Sequence, residues 1–186
     1  QMEYYPLSPT QKRMYFAHLF DKESIAYNAP VPLTFKGALD IKRLEKSFRE
    51  LIKRHECLRT VFLSINGDLV QRVLPEIEFS LDHLNNDTDP DTTIRNYIKP
   101  FDLEKGPLLR VGIIEISREE YVIVIDCHHI ISDEVTITIL LKDLLSIYKG
   151  EDLPKLHIQY KDYVLWQQLE EQQNEIKKQK AYWLNK

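Results

Sequence analysis

Cysteine is scarce in this sequence, with only Cys57 and Cys127 among 186 residues. No paired framework of cysteines is present, and a chain of this length does not need a disulfide to build a stable core. We therefore expect reduced thiols in a reducing compartment.

Long apolar runs are also missing. None approaches the roughly 20 residues that a membrane-spanning helix needs. The N-terminal residues Gln1 to Tyr5 lack the charged and apolar regions of a signal peptide. We expect a cytoplasmic protein with no membrane partner.

The sequence has no basic block. It carries 25 Lys and Arg against 29 Asp and Glu, which gives a formal net charge of −4. A nucleic-acid partner is therefore not expected. What the sequence does contain, 43% hydrophobic and 29% charged residues, is typical of one globular domain or part of one.

Apolar periodicity predicts a mixture of helices and strands. Asn66-Gly67 between two β-like runs is a strong signal for an antiparallel hairpin. Gly150 is expected to end a core helix. We predict a loop over residues 82–91, helices over 10–20, 40–55, 92–98, 135–148, 160–166 and 170–180, with Thr10 and Asp40 as caps of the first two, and strands over 29–35, 60–65, 69–74, 108–116 and 120–125.

The segment from Cys127 to Thr136 reads Cys-His-His-Ile-Ile-Ser-Asp-Glu-Val-Thr and follows the apolar run Tyr121 to Ile125. Adjacent residues of a strand point to opposite faces, so His128 and His129 cannot address the same point. One histidine is therefore expected to carry out the chemistry of the site and the other to pack inside the protein. A turn could return the later Asp133 to the histidines, where it would orient an imidazole or bind a cation such as Arg.

Other interpretations of this segment remain open at this stage. Strand-end histidines are often hydrogen-bonded core residues, and packing is the expected role of His128. A zinc site would use His and Asp, but no further cluster completes a tetrahedral set. Cys127 beside His128 could be a nucleophile, although a cysteine in such a run is commonly a buried small apolar residue.

Four separated blocks of the sequence carry a further signal: Ser8 to Tyr15, Arg54 to Phe62, His128 to Glu134 and Tyr160 to Trp166. In order and spacing they resemble the motifs of the condensation domains of nonribosomal peptide synthetases. The third block departs from the family pattern, because Glu134 stands where the family has Gly. Glycine at a turn supplies conformational freedom or lets a substrate approach the backbone. If the backbone there is helical, Glu suits a helix N-terminus, and the change would then mainly narrow or acidify a substrate tunnel.

This resemblance implies an α/β fold (an α+β sandwich), namely a chloramphenicol-acetyltransferase-like lobe with a mixed, mostly antiparallel sheet and flanking helices. Family members are longer, with a second lobe after the region that Tyr182 to Leu184 resembles. Residues 1–186 are therefore expected to be the N-terminal lobe of a condensation domain. Because the family's active site lies in a tunnel between two lobes, the isolated lobe is expected to be inactive.

The resemblance further implies amide formation between two carrier-bound thioesters. By its place in the motif, His129 is expected to be catalytic, with His128, Asp133 and Arg59 as structural support. Asp133 is expected to pair with an arginine, either Arg59 or Arg13. The residues expected to line the tunnel are Glu134, Arg13 and Ser132.

The expected partners are donor and acceptor peptidyl or acyl carrier proteins and the C-terminal lobe of the same domain. No metal and no directly bound cofactor is expected, since phosphopantetheine arrives on the carrier proteins. Three alternatives remain: a related coenzyme A-dependent His-x-x-x-Asp acyltransferase, a non-catalytic docking lobe for carrier proteins, and an epimerisation domain.

Overall fold

Two β-sheets form the framework of the computed structural model, which describes residues 3–184 except the side chains of residues 170 and 171. The larger sheet has four strands in the order β2-β7-β6-β5. Its long strands pair antiparallel, and the short β5 runs parallel to β6. These strands are β2 (Asn28–Lys36), β5 (Asp82–Leu84), β6 (Leu109–Ser117) and β7 (Glu120–His128).

The smaller sheet is antiparallel, with the order β1-β4-β3. Its strands are β1 (Tyr5–Pro6), β3 (Thr60–Ile65) and β4 (Asp68–Val73). Asn66 and Gly67 join β3 to β4 with φ values of 52° and 90°. Positive φ at both central residues matches the twist of the flanking strands, which confirms the predicted hairpin.

Six helices surround the sheets in the part of the chain that the structure describes. They are α1 (Pro9–Phe20), α2 (Ile41–Arg54), α3 (Pro90–Tyr97), α4 (Glu134–Lys149), α5 (Tyr160–Gln167) and α6 (Glu170–Leu184). A 3₁₀ helix, Glu56–Arg59, connects α2 to β3. None of the helices within residues 3–184 combines the length and apolar character required to cross a membrane.

The hydrophobic core lies between the larger sheet and the pair α2 and α4. Phe48 and Leu51 of α2 and Leu140 and Leu144 of α4 are buried there. They face a strand surface that includes Ile125 and Cys127 of β7. Because side chains alternate along β7, His128 lies on the opposite face from Cys127.

Most predicted elements are present, and the differences concern their ends. Helix α1 begins after Ser8, not after Thr10, because Ser8 and Gln11 form a capping box and Pro9 occupies the first helical position. Strand β7 continues through His128 instead of ending at Ile125. Gly150, with φ 84°, ends α4 as predicted.

The predicted loop over residues 82–91 is wrong in part. Asp82–Leu84 forms β5, whose backbone pairs with β6 although its side chains do not alternate in polarity. Asp89 caps α3 and accepts a hydrogen bond from the Thr92 N–H, with Pro90 at the first helical position. An Asp followed by Pro is a signal for the start of a helix, and the sequence alone could have shown it.

Candidate active site

One cavity of about 310 Å³ brings together the four sequence blocks. The residues that surround it come from α1, the 3₁₀ helix, β3, β4, the turn after β7, the first turn of α4 and α5. Since these segments are far apart in the chain, only the folded structure makes them neighbours. They contribute Thr10, Gln11 and Met14; Glu56, Cys57, Thr60 and Phe62; Gln71 and Val73; His129 to Asp133 and Thr136; and Tyr160 and Lys161.

His129 is the exposed member of the histidine pair and lines this cavity. Its backbone N–H donates to the Tyr27 carbonyl at 2.8 Å. Its ring Nδ1 lies 3.2 Å from the Ser132 carbonyl oxygen. A carbonyl can only accept, so Nδ1 carries the hydrogen and Nε2 of the neutral ring keeps its lone pair. No residue within the described range 3–184 hydrogen bonds to Nε2.

His128 is buried, with 4% of its surface exposed, as predicted for the packing member of the pair. Its Nδ1 accepts the Ile130 N–H at 3.0 Å, and the rings of Tyr27 and Phe101 lie beside it. Burial, assisted by nearby His18 and His129, lowers the pKa of His128 to about 4. His128 is therefore neutral near pH 7.

The turn after β7 is held by bonds to the main chain of the two histidines. The Ser132 hydroxyl and the Ile131 N–H both donate to the His128 carbonyl, at 3.1 Å each. Ser132 is buried and lines the cavity. It holds the turn through its hydroxyl and the His129 ring through its carbonyl.

Asp133 caps α4 instead of contacting a cation. Its Oδ1 accepts from the Thr136 N–H at 2.7 Å and from the Thr136 hydroxyl at 2.6 Å. These bonds hold the pKa of Asp133 below its ordinary value. Among residues 3–184 no ion pair includes Asp133, so the expected pairing with Arg59 or Arg13 is wrong.

The two arginines have other partners. Arg59 donates to the Leu74 carbonyl and lies 3.8 Å from a carboxylate oxygen of Glu56, so it holds the 3₁₀ helix to the end of β4. Arg13 bonds to Thr10 within α1. Neither arginine lines the cavity. The supporting role of Arg59 and the tunnel-lining role of Arg13 stay predictions.

Glu134 is exposed and is the first residue of α4. Its backbone is helical, so this position does not require the conformational freedom of glycine. Negative charge in the first helical turn is stabilising. Glu134 lies outside the lining of the cavity, and its place in a tunnel stays a prediction.

Sequence reasoning missed two buried amides, Gln11 and Gln71. Gln11 belongs to a recognised block, and its spacing from Ser8 is a capping-box signal. Gln71 lies on β4, in none of the four blocks, and no local pattern marks it. An ion pair between Lys161 and Glu56, at 2.8 Å, was also missed.

Neither cysteine has the environment of a nucleophile. Burial raises the pKa of Cys57 to about 11, and burial raises the pKa of Cys127 still further. Cys127 packs in the core, which favours the small apolar role over the catalytic one. Within the described residues, no group of three or more His, Cys, Asp and Glu is placed to hold a metal ion.

A second polar cluster lies where the end of α2 meets α4. Asp143 of α4 accepts from Arg54 Nε and lies next to His55 Nε2, each at 2.8 Å from the same oxygen. Burial lowers the pKa of His55, and its bond to Asp143 offsets part of that effect. This cluster ties the end of α2, and hence the second block, to α4.

The arrangement is an α/β lobe that presents the accessible imidazole of His129 in a cavity lined by all four blocks. The chain belongs to the condensation domain family, whose model matches residues 1–186. Bacitracin synthase 2 of Bacillus licheniformis is 46% identical over 182 residues, which cover 97% of this chain and 7% of that protein. Gramicidin S synthase 2 of Aneurinibacillus migulanus is 43% identical over 184 residues, which cover 98% of this chain and 4% of that protein.

Solved structures confirm the predicted fold class. The condensation domain from Monacolin K polyketide synthase MokA matches with a TM-score of 0.85 and 21% identity, over 98% of this chain and 42% of that one. The chain thus spans less than half of that structure and less than a tenth of the two synthases. The chloramphenicol-acetyltransferase-like architecture of the lobe is therefore established.

Proposed function

We propose that this chain is the N-terminal lobe of an amide-forming condensation domain in nonribosomal peptide synthesis. A C-terminal lobe would complete the site and its tunnel. The amine of an aminoacyl thioester on a downstream carrier protein attacks the aminoacyl or peptidyl thioester on an upstream carrier. The isolated lobe is inactive in this proposal.

The observation that supports this function best is the accessible imidazole of His129 in a cavity lined by all four blocks. A histidine used only for packing would be buried, as His128 is. His129 is instead exposed in the cavity, with Nδ1 held by the Ser132 carbonyl and Nε2 without a partner among residues 3–184. That geometry suits a residue that receives a hydrogen bond from a substrate.

The proposed role of His129 follows from its tautomer. Nε2 accepts a hydrogen bond from the attacking amine and so positions it. A new C–N bond forms at the thioester carbonyl carbon, the C–S bond breaks, and the amine loses a proton. The proton passes through Nε2 to the departing thiolate, which leaves as the phosphopantetheine thiol. A neutral amine needs little help to attack a thioester, so positioning is a large part of this role.

The partners proposed on this basis are a donor and an acceptor carrier protein. Each carries phosphopantetheine as part of its substrate, so the lobe itself needs no bound cofactor. Carrier-dependent synthesis of this kind is proposed to take place in the cytoplasm. The lobe covers one wall of the site, which leaves His129 exposed until the second lobe is present.

A reconstitution experiment tests the proposal. The chain is mixed with an aminoacylated pair of carrier proteins, with and without the C-terminal lobe, and dipeptidyl thioester is measured by mass spectrometry. Product that requires both lobes supports the proposal. Product from this chain alone overturns the need for a second lobe, and carrier binding without product in either mixture favours the docking-lobe alternative.

The role of His129 is tested in the complete two-lobed protein. His129→Ala should reduce product formation by about 100-fold or more, the usual contribution of a positioned acid–base group. It should leave the fold intact, because the side chain is exposed. His157→Ala is the matched control, since His157 is exposed and lies outside the cavity lining. Equal turnover by the two variants would remove His129 from the mechanism.

A further inference from the structure

A buried pair of amide side chains connects the smaller sheet to the histidine turn. Gln11 of α1 and Gln71 of β4 are 4% and 2% exposed. Gln71 Nε2 donates to the Pro6 carbonyl at 2.8 Å and to Gln11 Oε1 at 3.3 Å. Gln11 Nε2 in turn donates to the Ile130 carbonyl at 3.4 Å. Ile130 directly follows His129.

The groups around the two amides allow one arrangement of donors and acceptors. The carbonyls of Pro6 and Ile130 can only accept, and the Ser8 N–H, 2.9 Å from Gln11 Oε1, can only donate. Gln71 must therefore turn its NH₂ group toward Pro6 and Gln11. Gln11 must turn its oxygen toward Ser8 and Gln71, which leaves its NH₂ group for Ile130.

The Ile130 peptide lies at the centre of the histidine turn. Its N–H donates to His128 Nδ1, and its carbonyl accepts from Gln11. The hydrogen bond from Gln11 is longer than the usual N–H···O hydrogen bond of about 2.9 Å, so its strength depends on how the Gln11 carboxamide is held. Ser8 and Gln71 hold that carboxamide. A rotation of Gln11 would release the carbonyl next to His129.

We propose that Gln71 is a positioning residue for His129. It acts through Gln11 and the Ile130 main chain, and it keeps the imidazole where Ser132 can hold its Nδ1–H. This inference rests on the proposed function of His129. A small displacement of a catalytic group lowers the turnover rate more than it weakens substrate binding. Loss of Gln71 should therefore lower kcat and leave KM nearly unchanged.

The test uses Gln71→Met in the complete two-lobed protein. Methionine is close in length and apolar, so it removes both donors without adding charge. The expected result is a fall in kcat of about tenfold, with KM within about twofold, as for the loss of an orienting hydrogen bond. Gln71→Glu provides a second variant if the first does not fold, since a carboxylate places an acceptor against two acceptors.

Ser47→Ala is the matched control. Ser47 is 3% exposed and donates to the Arg43 carbonyl within α2, away from the histidine turn. If a lost buried hydrogen bond acts only through stability, Ser47→Ala and Gln71→Met will show the same kcat per folded molecule. That equality would overturn the inference.

Nitrogen-15 NMR of the His129 ring separates this inference from the proposed function. The wild-type protein should show the Nδ1–H tautomer, and Gln71→Met should show a mixture of tautomers, whereas Ser47→Ala should not. If Gln71→Met changes the tautomer but the wild-type protein makes no product, the proposed function is refuted and the positioning by Gln71 is kept. If Gln71→Met leaves both the tautomer and kcat at their wild-type values, only the positioning is refuted.

Discussion

The buried His128 should make the stability of the lobe depend on pH. Its folded-state pKa is about 4, whereas an unfolded histidine titrates near 6.5. Because the folded pKa is depressed, its contribution to stability is fully present above pH ~6.5 and is lost as the pH falls toward 4. Between these two pH values the His128 imidazole is protonated in the unfolded chain but neutral in the folded one.

The size of the effect follows from the two pKa values. At pH 5 an unfolded histidine is almost fully protonated and His128 in the fold is not, which removes about 2 kcal/mol from the free energy of unfolding. By pH 4 the loss reaches about 3 kcal/mol by the same linkage. Such a loss is a large share of the 5–15 kcal/mol that is typical of a whole domain.

His128→Asn provides the perturbation. The Asn Oδ1 can accept the Ile130 N–H in place of His128 Nδ1, but it does not titrate. The smaller side chain leaves space beside Tyr27 and Phe101, which lowers stability by the same amount at every pH. The variant should therefore be less stable at pH 8 yet lose about 2 kcal/mol less than wild type between pH 8 and pH 5.

Urea unfolding followed by circular dichroism at both pH values measures this difference. The pH dependence of the unfolding free energy of the variant must be subtracted from that of wild type. Burial also lowers the pKa of His18 and of His55, so these two histidines add to the pH dependence of both proteins. His157→Asn controls for the removal of an exposed histidine. If His128→Asn keeps the full pH dependence of wild type, His128 is not the buried neutral histidine described above.

Two further predictions concern the supports of the site. Asp133→Ala should lower the free energy of unfolding by about 1 kcal/mol at pH 7, because α4 loses its N-cap. The difference from wild type should begin to shrink below pH ~4, the ordinary carboxyl value, and should be lost as the pH falls through the depressed pKa of Asp133. Thermal and urea unfolding at pH 7 and pH 3 measure it, and Thr136→Ser is a control that keeps the bonding hydroxyl. Asp143→Asn should lower the free energy of unfolding by about 2 kcal/mol, since Arg54 and His55 share one carboxylate oxygen of Asp143 in a mostly buried cluster. Asp152 is exposed, so Asp152→Asn should leave the free energy of unfolding nearly unchanged. Equal unfolding free energies for these two variants would contradict the structural role of Asp143.

Local pattern was enough to predict most of the helices and strands. The apolar spacing of α2 and α4, the Asn66-Gly67 turn and the stop at Gly150 depend on residues within one element or beside it. Strand alternation also predicted that only one of His128 and His129 faces the cavity, and the resemblance to the family motif pointed to His129 as that residue.

The short strands and several site contacts were not predictable in this way. Strand β5 exists because its backbone pairs with β6, and its polar side chains give no alternating signal. The sequence suggested that Asp133 would orient an imidazole or bind a cation such as Arg. Because α4 starts at Glu134, Asp133 instead caps the helix, with the Thr136 N–H within reach of its carboxylate.

The sequence by itself determined the family, the order of the four blocks and the histidine that faces outward, because each of these depends on residue identity and on periodicities of two to four residues. Only the tertiary structure decided that the four blocks line one cavity and that Gln71 holds Gln11 beneath the histidine turn. Gln11 and Gln71 are 60 positions apart in the chain. A contact over that distance forms through the packing of α1 against the smaller sheet, and no local pattern of residues encodes it.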